Sequence, residues 1–183
     1  HNPGDALPNE YPYDFMKRWI NWLGYAIDFD GVRLDAPKHV VREFFGEPGS
    51  GFNHEVQWNF DQRRGNTDPN QYDQMYQNDI HRDDALIFGE MFIYSTGEVD
   101  YWRKWNGGDG PNNGSGVKMR YLDFPLMKQM MQGAFNGGNM AALSGFGAFG
   151  DQEGMTFVHS HDEDSIGKKE LAYAYALTHV GIP

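Results

Sequence analysis

A chain of 183 residues with 39% hydrophobic residues is long enough for one domain with a sizeable core. Its formal net charge of −11 weighs against non-specific binding to nucleic acid or anionic membranes. It has no Cys, which rules out a disulfide framework and a thiolate metal site, and no apolar run approaches the roughly 18 residues needed to span a membrane.

His1 to Glu10 lacks a signal-peptide pattern and reads as a loop. Asp14 is a candidate N-cap for a helix carrying Phe15, Trp19, Trp22, Leu23 and Ala26 at helical spacing, with Gly24 near its end. Gly31-Val32-Arg33-Leu34-Asp35 follows as a strand after the Asp30-Gly31 turn. Pro37 opens a second helix through Val40, Val41 and Phe44, stopping near Gly46. The polar stretch beyond it holds one helix around Asn53 to Arg64 and another around Gln71 to Ile80. Ala85 to Glu90 is the second strand, followed by a helix with Tyr101, Trp102 and Trp105, and then a Gly- and Asn-rich loop over 107–116. Tyr121 to Phe124 reads as the third strand. Leu126, Met127, Met130, Met131 and Ala134 form a helical apolar stripe, read as core. Met155 to Val158 is the fourth strand and Leu171 to Thr178 the final helix. Alternating strands and helices predict an α/β fold with a parallel sheet and helices outside it. A full eight-stranded barrel needs roughly 250 residues, so four strands make either an open sheet or part of a barrel.

Three acids, Asp35, Glu90 and Asp162, stand where apolar strands run out, the end that carries the active site in parallel barrels. A lone Asp there is more often a helix cap; three in series point to chemistry. Side chains alternate along a strand, so Arg33 and Asp35 share a face, and the guanidinium favours the charged carboxylate that a nucleophile needs. Leu86, Phe88 and Glu90 share a face of the second strand, so Glu90 emerges from an apolar stack, a setting that suits a general acid. His159 and His161 next to acids are also a candidate metal pair. No other clustered His supplies the remaining ligands, since His54 and His81 lie in polar segments and read as solvated.

Asp30-Gly31-Val32-Arg33-Leu34-Asp35-Ala36-Pro37-Lys38-His39 resembles the fourth-strand motif of glycoside hydrolase family 13, the α-amylase family. Phe88-Gly89-Glu90 resembles its fifth-strand motif. Phe157-Val158-His159-Ser160-His161-Asp162 resembles its seventh-strand motif, with Ser160 where Asn is usual. Gly181-Ile182-Pro183 looks like the entry to the eighth strand. The resemblance implies a partial (β/α)8 TIM barrel, about strands 4 to 7 with their helices, missing strands 1–3 and 8. Residues 1–183 would form this partial catalytic domain, with 1–13 a loop or the end of the inserted domain.

The implied activity is retaining hydrolysis of internal α-1,4-glucosidic bonds in starch or related α-glucans. Asp35 would be the nucleophile, Glu90 the acid/base and Asp162 the transition-state stabiliser; Arg33, Lys38, His39 and His161 would contact substrate or orient the acids. A structural calcium is implied for the whole enzyme, with the backbone carbonyl of His39 as one ligand and the others off this chain. The Ser160 departure removes the expectation of chloride. A family 13 transglycosylase or exo-acting α-glucosidase, and a non-catalytic carbohydrate-binding relative, remain open. The expected partners are an α-glucan and the remainder of the barrel, with neither nucleic acid nor membrane, and secretion is the expected location. Strands four to seven alone would leave open sheet edges that invite aggregation, and a substrate cleft without one wall, so the isolated chain is expected to be inactive or nearly so.

Overall fold

The structure, a computed structural model, describes residues 9–46, 51–64, 85–103, 119–143 and 154–179, with Gly181 and Pro183. The expected helix at 71–80, the loop at 107–116, Trp105, His81, Ile182 and the side chain of Met130 lie outside the described residues. The chain has an α/β fold with four strands in the order β1 (Gly31–Asp35), β2 (Leu86–Glu90), β3 (Arg120–Leu122) and β4 (Gly154–Met155). The β2–β3 and β3–β4 pairs are parallel, in the registers Phe88 to Arg120 and Tyr121 to Gly154. The helices are α1 (Pro12–Ile27), α2 (Phe52–Arg63), α3 (Thr96–Arg103), α4 and α5 (Lys169–Thr178). In α4 a π-helical stretch, Leu126–Met131, runs straight into α-helical Gln132–Phe135. Backbone contacts group the chain into two compact units, 1–87 with 102–119, and 88–101 with 120–183.

In the first unit α1 begins two residues before the expected cap, because Pro12 occupies the first helical position and Asp14 falls in the first turn. The helix runs through Gly24 to Ile27. Gly24 does not end it; it lets α2 approach, since a Cβ there would lie 1.8 Å from Asn59 Oδ1. The buried Asn59 amide donates to Asn21 O and Asn21 Oδ1 at 3.3 and 3.0 Å, and its oxygen accepts from Arg63 Nε at 2.9 Å. The expected helix after Pro37 is replaced by two 3-10 turns, Pro37–His39 and Arg42–Phe44. Val40 between them is extended, at φ −111° and ψ 147°, as suits a β-branched Val40-Val41 pair. Ile20, Phe45, Phe52, Val56, Phe60, Ile87 and Trp102 are buried in this unit.

In the second unit the Met stripe is core as expected: Phe124, Leu126, Met127, Met131, Ala134 and Phe135 pack with Val158, Ile166, Ala172 and Ala176. β3 stops at Leu122 because Asp123 turns its carboxylate back, accepting from Leu126 N at 2.9 Å and capping α4. The β3–β4 ladder therefore ends at Leu122 with Met155. Thr156 to Val158, expected as strand, continue without a ladder among the described residues. Among the described residues no helix is long and apolar enough to cross a membrane.

Candidate active site

β1 alternates as its sequence requires: Arg33 and Asp35 are exposed, while Val32 and Leu34 are half-buried. Arg33 Nη2 reaches Asp35 Oδ1 at 3.5 Å, with the Asp35 side chain 79% exposed. The expected pair exists, but it is a solvated one at the limit of hydrogen-bond distance, so its hold on Asp35 is weak. Both residues stand in the wall of an apolar groove of about 950 Å³ that Trp19, Ile20, Leu23, Val32 and Phe45 also line. Directly after Asp35, Ala36 adopts φ 43°, the left-handed region that a residue with a Cβ rarely visits. Lys38 is half-buried and His39 exposed in the following turn, where the His39 amide donates to Ala36 O at 3.1 Å. Two ion pairs, Arg64 to Asp30 and Arg63 to Asp28, hold the entry to β1.

The second unit gathers the other expected residues. Glu90, at the end of β2, is 4% exposed. Its carboxylate, a ring nitrogen of His161 and a carboxylate oxygen of Asp162 lie within 4.8 Å of one another. His161 Nε2 is 3.2 Å from Asp162 Oδ2, and both side chains are open to solvent, at 70% and 53%. One buried acid thus faces one solvated acid across a short gap, an asymmetry suited to dividing roles between two carboxyl groups. Phe92, two residues after Glu90, is again left-handed, at φ 49°. Positive φ on residues with a Cβ occurs after both β1 and β2, and also at Asn9 and at Asp28, the C-cap of α1.

Ser160, which departs from the expected Asn, builds the turn that presents His161 and Asp162. Its hydroxyl accepts from the amides of Asp162 and Glu163 at 3.2 Å each, and its own amide donates to Glu163 O at 2.9 Å. The candidate histidine pair does not act as a pair. His161 joins the acids, while His159 Nδ1 shares a 2.6 Å hydrogen bond with Tyr173 OH on α5. His54, expected to be solvated, is half-buried on α2.

Three residues of the second unit escaped the sequence reading as a set: Tyr94, Lys128 and Glu163. Tyr94 OH donates to Glu163 Oε2 at 3.3 Å, and Lys128 Nζ lies 3.7 Å from Glu163 Oε1 and 5.5 Å from the Tyr94 ring centre. Glu163 is held below the usual carboxylate range, first by the nearby Ser165 hydroxyl, although that hydroxyl makes no hydrogen bond of normal geometry; Lys128 and Tyr94 pull the same way, against burial. Burial, and then the Glu163 charge, push the Tyr94 phenol up.

Glu90, His161 and Asp162 have the donor chemistry for a small cation, but three donors with one buried carboxylate also describe a hydrolytic site. Calcium takes about six to eight oxygen ligands. His39 offers one carbonyl on an exposed turn beside Lys38, which does not make a calcium site on its own. No protein-family model matches the chain, and no curated protein matches it.

Proposed function

We propose that the chain is the central part of a family 13-type retaining glycoside hydrolase barrel, cleaving internal α-1,4 bonds of starch-like glucans. The observation that carries this is the grouping of buried Glu90 with His161 and Asp162. These residues come from two separate sequence motifs, each resembling that family, and they meet beyond the ends of parallel strands. That is where a barrel keeps its chemistry.

In this reading Asp35 attacks the anomeric carbon while the glycosidic C–O bond breaks and the departing oxygen takes the proton of Glu90. A glycosyl ester on Asp35 results. Glu90, now a carboxylate, takes a proton from water as the water oxygen attacks the same carbon, and Asp35 departs. Asp162, solvated and held by the Ser160 turn, accepts hydrogen bonds from the sugar hydroxyls that strengthen in the transition state. His161 contacts the same sugar, and Lys38 and His39 serve the leaving-group side. Calcium and secretion belong to this proposal for the whole enzyme.

The assignment requires Asp35 and Glu90 carboxyl groups about 5–5.5 Å apart in the working enzyme, as retention demands. It is tested with a fluorinated glycosyl trap on the full-length protein, followed by peptide mass mapping. A glycosyl adduct on Asp35 is expected, and an adduct on another acid would overturn the assignment. Products from starch against those from maltose separate the endo-acting hydrolase from the transglycosylase or exo-acting forms. Failure to turn over either, with glucan binding intact, would select the carbohydrate-binding alternative.

A further inference from the structure

The geometry points to Glu163 as a positioning residue that ties the loop after Glu90 to the turn carrying Asp162, and so sets the spacing of those two acids. The inference rests on the hydrolase reading and deepens it. Glu90 ends β2, and four residues on, still before α3, stands Tyr94. Its hydroxyl donates to Glu163 Oε2 at 3.3 Å across 69 residues of sequence. Lys128, on the π-helical stretch of α4, reaches the other carboxylate oxygen at 3.7 Å. The Glu163 side chain is only 15% exposed, so it does not face the solvent that Asp162 meets.

Glu163 is also fixed through its backbone. Its amide donates to Ser160 Oγ, and its carbonyl accepts from Ser160 N at 2.9 Å. One residue thus closes the turn that presents His161 and Asp162, while its side chain is held by the β2 loop and by α4. Tyr94 is seated in turn by aromatic contacts with Phe92, at 5.7 Å, and Phe124, at 6.0 Å. A carboxylate that is nearly buried, paired with a cation and bonded to a phenol is costly to assemble without a use. Here its use is mechanical: small displacements of a catalytic group cost large factors in rate.

The test compares Glu163→Ala, Glu163→Gln, Tyr94→Phe and Asp162→Asn in the full-length protein, with a linear α-1,4-glucan oligosaccharide as substrate. Glu163→Ala is expected to lower kcat by about 100-fold while KM stays within about threefold, because ground-state binding does not need the exact Glu90–Asp162 spacing. Glu163→Gln keeps a partner for Tyr94 and falls between Ala and the native residue. Tyr94→Phe falls several-fold. Ring ¹³C titration of tyrosine reads the contact without turnover, and the Tyr94 signal, raised in the native protein, is expected to move down in Glu163→Gln.

A native kcat in Glu163→Ala, alongside an inactive Asp162→Asn, overturns the inference while the hydrolase reading survives. Unchanged hydrolysis in both removes Asp162 from the site and this role with it, whereas no hydrolysis by the native protein sinks the hydrolase reading itself. An unmoved Tyr94 titration in Glu163→Gln overturns the contact itself. Should Glu163→Ala not fold, Glu163→Gln and Tyr94→Phe carry the test, and native kcat in both overturns it.

Discussion

Replacing Gly31 by Ala isolates the contact that sets β1 against β2. An added Cβ would lie 2.2 Å from the Leu86 carbonyl oxygen and 2.7 Å from Leu86 Cβ, more than about 1 Å inside van der Waals contact. The obstacle is backbone, so no rotamer change relieves it. The two segments must separate, and with them goes the hydrogen bond from Leu86 N to Asp30 O at 3.0 Å. Overpacking costs about 1–3 kcal/mol and the lost hydrogen bond about 1 kcal/mol. The reduced entropy of the unfolded chain returns about 0.4–1 kcal/mol. The net loss is about 1–3.6 kcal/mol. In urea, with a slope near 2 kcal/mol/M, the midpoint should fall by about 0.5–1.8 M. Fluorescence of Trp19, Trp22 and Trp58 in the same unit follows the transition. Gly138→Ala is the control, because its φ of +71° carries only the backbone cost and its Cβ would meet nothing within 4 Å. A Gly31→Ala midpoint equal to the native one would refute the close approach.

Asp35→Asn and Glu90→Gln should each lower glucan hydrolysis by the full-length protein about 10²- to 10⁴-fold, measured as reducing ends released, with circular dichroism unchanged. Met131→Ala, at a fully buried position, should cost about 2–5 kcal/mol in the same urea assay. Glu163 carries a pH prediction. Its folded-state pKa lies below the ordinary 4.5, so the stability it contributes is present above that value and is lost as pH falls through the depressed one. Glu163→Gln should therefore flatten the fall of melting temperature below about pH 4.5 and change little of its shape near neutrality. Parallel acid curves for mutant and native protein would count against the charged network. Gly24→Ala should destabilise despite its better helix propensity, because it displaces the buried Asn59 bridge; a raised melting temperature would contradict that packing.

What the sequence revealed depended on how local the cause was. The β1 alternation of Val32, Arg33, Leu34 and Asp35 was readable because strand geometry fixes it over a few residues. The Met stripe of α4 was readable for the same reason, though not the wide turn inside it. The helix expected after Pro37 failed because two adjacent β-branched residues took extended backbone. Gly24 was misread as a stop because the reason for it lies on α2, in Asn59. The short β3 and β4 share one explanation, the Asp123 cap, which competes with continuing the strand. At the candidate site, Glu90 and Asp162 were read as acids at strand ends, and the structure brings them together with His161. Arg33 and Asp35 share one exposed face of β1, as strand alternation predicts, and their pair is solvated. Tyr94 and Lys128 were not legible, since nothing in their neighbours says they will meet Glu163, and Glu163 itself read only as one more acid beside Asp162.

The π-helical stretch at Leu126–Met131 has a consequence for insertions and deletions in this chain. Such a stretch holds one residue more than a regular turn would need. Removing one residue between Asp123 and Lys128 would leave the core-facing Met side free to re-form an ordinary helix. Lys128 lies inside the stretch, so the change of turn geometry would also shift it around the axis relative to Glu163. A length change here would thus be forgiven by the hydrophobic interior and felt at the acid cluster, so length variants of α4 should separate fold from catalysis more cleanly than substitutions in it do.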